Sequence, residues 1–255
     1  MKNDAQDPPG TVLVTGGSRG IGAAAAIRCA QEGWAVAVNY TSDRGAAERV
    51  VERIRAAGGS ACALQADVSD ETQVLRLFAA VDGEMPRLRG LVNNAGVIDL
   101  PGRVEAITAE RLQRMFAVNV FGSFFCAREA VRRMSTRHGG RGGAIVNLSS
   151  ASARLGAPGQ YVDYAASKGA IDSFTLGLAK EVATEGIRVN AVRPGIIETD
   201  LHAAGGLPDR AREMAPQVPM QRAGSAEEVA EAIVWLLGDG SSYTAGAVID
   251  VTGGR

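Results

Sequence analysis

The chain has 255 residues, 46% of them hydrophobic and 22% charged, with a formal net charge of -1. That is enough apolar material for a sizeable core, and the near-balance of charge excludes a broad positive field for gripping nucleic acid. Three widely spaced cysteines, Cys29, Cys62 and Cys126, exclude a disulfide frame or a CxxC metal site and point to a reducing, cytoplasmic setting.

Residues 1–10, "MKNDAQDPPG", are polar and lack the apolar stretch of a signal peptide. They are expected to form a flexible leader, with residues 11–255 as a single domain. No apolar run approaches the ~18 residues that suggest a membrane span. "TVLVT" (Thr11–Thr15) predicts a buried strand, and "GIGAAAAIRCAQEG" a helix stopped at Gly33. "WAVAVNY" predicts the second strand and 43–57 the second helix. "ACALQADV" predicts the third strand and 70–81 the third helix. "GLVNNAG" reads as the fourth strand running into a turn, followed by two helical stretches over about 108–117 and 120–137. "GGAIVNLSS" is the fifth strand, 163–185 a long helix and "IRVNAVRPG" the sixth strand. Residues 194–224 read as an irregular insertion in which 202–217 suits a mobile lid. Ser225, with Glu228 three positions on, predicts a capping box for a last helix through Leu237, and "AGAVIDVTGG" the seventh strand. Alternation of this kind implies an α/β, Rossmann-like, doubly wound parallel sheet of about seven strands with helices on both faces.

Three stretches carry chemistry. "TGGSRGIG" (Thr15–Gly22) joins the first strand to the first helix, where close backbone approach and free N–H groups favour a phosphate. The same letters fit G-x-S-x-G, the nucleophile elbow of α/β-hydrolases, with Ser18 as nucleophile and His138 or His202 as base. That rival leaves no earlier strand to carry an oxyanion loop. In "GQYVDYAASKG", Tyr164 has Lys168 at i+4, whereas Tyr161 has Ala165. An ammonium beside a phenol favours phenolate and equips the tyrosine for proton transfer. Ser149 and Ser150 end the fifth strand, where a hydroxyl can donate to a substrate oxygen.

With "DV" at Asp67-Val68, "NNAG" at Asn93–Gly96, Asn119, "YAASK" and "RPGIIETD", the chain resembles the short-chain dehydrogenase/reductase family from about Thr11 to Gly254. The resemblance implies that Ser150 polarises a substrate carbonyl, Tyr164 is the acid/base, and Lys168 holds the nicotinamide ribose and lowers the tyrosine pKa. It implies that Asn119 completes a proton relay. Gly16, Ser18, Arg19, Gly20, Ile21 and Gly22 would surround the pyrophosphate and adenosine, Asp67 and Val68 would face adenine, and Asn94, Ala95 and Gly96 would line the cofactor cleft. Pro194, Gly195, Ile197 and Thr199 would contact nicotinamide. It also implies a homotetramer and no metal. Ser150 precedes Tyr164 by 14 residues, one more than the commoner family spacing, which leaves Ser149 as a minor candidate, and "VTGG" stands where "VDGG" is frequent.

The second strand ends Asn39-Tyr40-Thr41-Ser42, with no carboxylate before Asp43. An acidic residue about 20 positions past the glycines marks an NAD site. Its absence, with Arg19 in the loop, favours NADP(H), while NAD(H) stays open as a second coenzyme should Asp43 turn inward. The expected activity interconverts a ketone or aldehyde and an alcohol. The expected substrate is a polyol, a sugar or another small carbonyl; a 3-oxoacyl group on an acidic acyl carrier protein is the alternative, docking on Arg128, Arg132, Arg133 and Lys180.

Overall fold

The computed structural model describes residues 9–201 and 205–255; most of the expected leader and His202 lie outside them. β1 (Thr11–Val14), β2 (Ala35–Tyr40), β3 (Ala61–Gln65), β4 (Leu88–Asn93), β5 (Gly143–Leu148), β6 (Ile187–Pro194) and β7 (Val248–Val251) form one sheet in the order β3-β2-β1-β4-β5-β6-β7. Every pairing is parallel. β1 and β2 are buried along their whole length, as strands covered on both faces must be, and this is why they read as unbroken apolar runs. The strand order reverses between β1 and β4, so a crevice opens beyond their carboxyl ends.

α1 (Gly20–Gln31), α2 (Arg44–Ala56) and α9 (Ala226–Leu237) cover one face. Ala26, Cys29, Val51, Ile54, Val229 and Ile233 pack there against the sheet. α3 (Glu71–Glu84), α5 (Gly122–Met134) and α7 (Val162–Val182) cover the other through Leu77, Phe78, Cys126, Met134, Ala179 and Val182. The predicted capping box is present: Glu228 N donates to Ser225 Oγ at 3.2 Å, and Ser225 N to Glu228 Oε2 at 2.9 Å. Among the described residues no helix is long and apolar enough to cross a membrane.

The two stretches expected on either side of residue 118 are continuous. α4 (Ala109–Phe116) runs through a π turn, Ala117–Phe121, into α5. Such π turns concentrate at functional sites, and this one carries Asn119. The short α6 (Ser152–Leu155) was not expected. The insertion after β6 is less irregular than its sequence suggests, holding α8 (Arg210–Met214) and a 3-10 turn, Ala215–Gln217.

Candidate active site

The glycine loop is fixed by close backbone contact. A Cβ on Gly22 would sit 2.4 Å from Gly16 O and 2.5 Å from Asn94 Nδ2, so any larger residue forces loop and strand apart. Gly16 and Gly20 adopt φ of +59° and +52°, a left-handed region that favours glycine. Asn94 Nδ2 donates to Thr15 O at 2.8 Å and Gly16 O at 3.0 Å, stitching the end of β4 to the loop. Arg19 caps α1 without a side-chain hydrogen bond, and the first turn holds no acidic residue. The amides there remain available to an anion, in the helix dipole's favourable direction. Thr199 lies across the crevice, 3.4 Å from where a Gly20 Cβ would be. This narrow, donor-rich crevice at the strand-order reversal fits the pyrophosphate of a dinucleotide.

The remaining expected cofactor residues divide by orientation. Asn39 and Tyr40 are buried. The Asn39 amide accepts from Gly16 N at 3.2 Å and donates to Leu64 and Ala66 carbonyls, so it braces the loop from within. Thr41 and Ser42 are exposed beyond the strand end. Asp43 caps α2, its Oδ1 accepting from Ala46 N at 2.9 Å, and so does not turn toward the crevice. Asp67 Oδ1 accepts from the Ser69 amide and hydroxyl, and Val68 packs where Gly122 leaves room. Ala95 N donates to Thr15 Oγ1 at 3.0 Å. Gly96 faces Asn119 Oδ1 and Lys168 Nζ. Pro194 ends β6 and Gly195 presses on the Thr252 backbone; Ile197 turns its side chain into the core.

α7 carries Tyr164, Ser167, Lys168, Ile171 and Thr175 on its sheet-facing side, all buried, at intervals of three or four. The structure separates the two serines. Ser149 Oγ donates to Lys168 O at 3.2 Å. Burial pushes the Tyr164 phenol's pKa up, and the neighbouring Ser150 hydroxyl acts in the opposite direction, favouring the ionised form. Between Ser150 and Tyr164 the chain runs through α6 and a tight loop in which Gly156, Ala157 and Gly159 all have positive φ. Lys168 Nζ donates to Leu148 O at 2.6 Å and lies 5.7 Å from the centre of the Tyr164 ring.

Burial pushes the Lys168 ammonium down to about 8, against the opposing attraction of Asp172 one turn on. Its folded pKa lies below the unfolded value near 10.5, so the unfolded chain binds more protons between these two pH values and stability rises with pH across that window. Below about pH 8 the penalty is fully present. Lys168→Met is therefore expected to raise the melting temperature at pH 7, by removing a charge whose burial costs about 3 kcal/mol at ~1.4 kcal/mol per unit. The gain should vanish by about pH 10.5, and thermal melts across this range read it directly.

Asn119 and Asn93 are supported by residues that carry no motif. Asn119 Oδ1 accepts from Val97 N at 2.8 Å, and its Nδ2 donates to Val97 O and Ser167 Oγ. Ser167 Oγ donates to Tyr164 O at 2.7 Å. Asn93 Nδ2 donates to Asn147 Oδ1 and Asn147 Nδ2 to Thr175 Oγ1, a buried amide ladder tying β4 and β5 to α7. Arg111 on α4 forks onto Asp163, beside Tyr164, at 2.7 and 3.0 Å, and its Nη1 donates to Leu100 O at 2.6 Å. The Asp163 side chain is wholly buried. The hydrolase reading finds no support: His138 is exposed ahead of β5, at the opposite end of the sheet from Ser18.

Residues 16–255 match a family model described as enoyl-(acyl carrier protein) reductase. The chain is 58% identical over 243 residues to an uncharacterized oxidoreductase, YgfF, of Escherichia coli strain K12, covering 95% of this chain and 98% of that protein. It is 38% identical over 245 residues to the 3-oxoacyl-[acyl-carrier-protein] reductase FabG of Staphylococcus aureus, covering 96% and 97%. A doubly substituted short-chain dehydrogenase/reductase of Serratia marcescens superposes with a TM-score of 0.86 at 36% identity, covering 96% of each chain. The switch-point crevice, the serine, tyrosine and lysine gathered beside it and these full-length likenesses agree: the chain belongs to the short-chain dehydrogenase/reductase family, whose members are NAD(P)-dependent oxidoreductases acting between CH–OH and C=O groups.

Proposed function

We propose that the enzyme prefers NADP(H) and interconverts a free ketone or aldehyde and its alcohol, using Ser150, Tyr164 and Lys168. The observation that carries this is the gathering of Ser150, Tyr164 and Lys168, all buried, with Lys168 Nζ 5.7 Å from the centre of the Tyr164 ring at the end of β5. A bound nicotinamide coenzyme supplies or accepts the hydride. Tyr164 gives its phenolic proton to the carbonyl oxygen in reduction and takes it back in oxidation. Ser150 donates a hydrogen bond to the same oxygen and steadies the charge that develops there. Lys168, while protonated, lowers the cost of phenolate. Asn119 and Ser167 hold the turn of α7 that carries Tyr164.

The NADP(H) preference rests on Arg19, exposed at the start of α1, on Thr41 and Ser42, and on Asp43 being engaged by α2. Arg44 is exposed and paired with Glu48. Arg19→Ala should lower kcat/KM for NADPH about tenfold to a hundredfold, the value of a charge-assisted hydrogen bond at ~1.5–3 kcal/mol, and leave NADH use nearly unchanged. A wild-type preference for NADH, or undiminished NADPH use in the variant, would refute it.

The S. aureus relative's name suggests a carrier-bound 3-oxoacyl substrate. Such a carrier is acidic and needs free cations. Arg128 pairs with Glu71 and Glu129, Arg132 with Glu129, and Arg133 with Asp82 and Glu129. Lys180 is exposed and has no ion pair among the described residues, but the three arginines of α5 are neutralised, which favours the free carbonyl reading. The same region supports a homo-oligomer, with a tetramer the form that family likeness favours: Phe121, Phe124 and Leu176 are exposed on the π turn, α5 and α7, and Gly169 and Gly177 border open space. Light scattering at micromolar concentration should return a multiple of 26.4 kDa; a single chain's mass would refute it. Free thiols at Cys29, Cys62 and Cys126 suit a reducing cytoplasm.

A further inference from the structure

We propose that the substrate carries an apolar group, aromatic or aliphatic, next to its carbonyl carbon, and is not a polyol or a sugar. This rests on the carbonyl–alcohol reading above and narrows its substrate class.

The surroundings of Tyr164 carry the argument. Met115 and Tyr161 are buried beside it. Val97, Ile98, Phe116, Ala157 and Leu207 pack against this group and remain half-buried. They come from four separate segments: the loop after β4, α4, the loop before α7 and the insertion after β6. Four segments thus place apolar side chains against the Met115–Tyr161–Tyr164 cluster, so the ground beside the reacting tyrosine is an apolar wall.

Among the described residues, the arginines bordering that wall, Arg111, Arg114 and Arg210, are each engaged by other groups of the chain. Arg111 is forked onto Asp163 and reaches Leu100 O. Arg114 pairs with Asp99. Arg210 on α8 lies over the Tyr161 ring, 5.2 Å from its centre, and donates to Gln160 Oε1 at 2.7 Å. A sugar needs a partner for each hydroxyl it buries, and a hydroxyl laid against this wall would lose its water without one. The carbonyl oxygen itself is served by Ser150 and Tyr164.

Ala157 adds an independent sign. It adopts φ +45°, a region where an L side chain is strained and glycine is not. Gly156 and Gly159 flank it, each with positive φ, so the loop uses glycine freely on both sides. At the one strained position between them it holds a methyl group, which packs on the Tyr161–Tyr164 cluster. Backbone strain of this kind is concentrated where function over-determines the chain.

The test is reduction of hydrocinnamaldehyde, the acetoacetyl thioester of N-acetylcysteamine, glyceraldehyde and erythrose, each with NADPH and NADH. The best apolar probe should exceed both hydroxylated aldehydes in kcat/KM by about 100-fold, the scale on which apolar pockets discriminate. A win by the thioester would support the inference and assign the apolar flank to an acyl chain. A win by hydrocinnamaldehyde would assign it to a free carbonyl compound. Ile98→Asn should narrow the gap by about tenfold through a raised KM for the apolar probe. Equal or better use of glyceraldehyde or erythrose would overturn the inference and leave the oxidoreductase reading standing. Failure of every probe with both coenzymes would overturn that reading, and this inference with it.

Discussion

Tyr164→Phe should lower turnover by about 10²–10⁴-fold, the range for removing a positioned acid/base group, with coenzyme affinity little changed. Tyr161→Phe should keep most of the activity. The two tyrosines share one cluster and lie three residues apart, so a difference between them isolates chemistry from packing. Tyr164 has Lys168 at i+4, its Nζ 5.7 Å from the ring centre. Tyr161 instead lies under Arg210 at the substrate side. Steady-state kinetics with coenzyme titration by nicotinamide fluorescence separate the two variants. Equal loss from both would refute the assignment.

Arg111→Met should be the most damaging of the substitutions outside that set. It leaves the Asp163 carboxylate, whose side chain is wholly buried, without its bidentate partner. Breaking a buried pair in this way costs about 3–5 kcal/mol. At ~2–4 °C per kcal/mol for a chain of this size, the melting temperature should fall by about 6–20 °C. Adding Asp163→Leu should recover much of the loss, because the penalty belongs to the stranded charge and not to the missing attraction. If the double variant melts as low as the single one, the loss comes from the missing Arg111 contacts and the stranded-charge explanation is wrong.

The groups that act are legible in the sequence because each is local. Tyr164 and Lys168 are four apart on one helix, the glycines sit in one loop, and Ser150 ends a strand whose apolar run announces it. The parallel sheet covered on both faces follows from strand–helix alternation, and the α9 cap from Ser225 and Glu228 alone. What escapes is set by distance along the chain. Arg111 and Asp163 are 52 residues apart, Asn119 and Ser167 are 48, and nothing local to either partner marks the contact. Asn39 reads as a coenzyme contact in the sequence, yet its amide faces inward, since a strand end alternates faces and the buried side needs a brace for Gly16. The π turn at Asn119 reads as a gap between two helices, because an extra residue in a helical turn breaks the apolar period without ending the helix. The arginines of α5 read as a basic surface, but their partners Glu71 and Asp82 come from α3.

The central claim is that hydride reaches the carbonyl carbon while Tyr164 handles the proton. It is tested most directly by mass spectrometry of the alcohol formed from NADPH carrying deuterium at both C4 positions, using the best carbonyl probe. The account predicts one deuterium on the carbinol carbon with wild-type enzyme and a rate of deuterated alcohol formation about 10²–10⁴ times lower with Tyr164→Phe. Alcohol without deuterium at that carbon, or unimpaired formation by the variant, would contradict it.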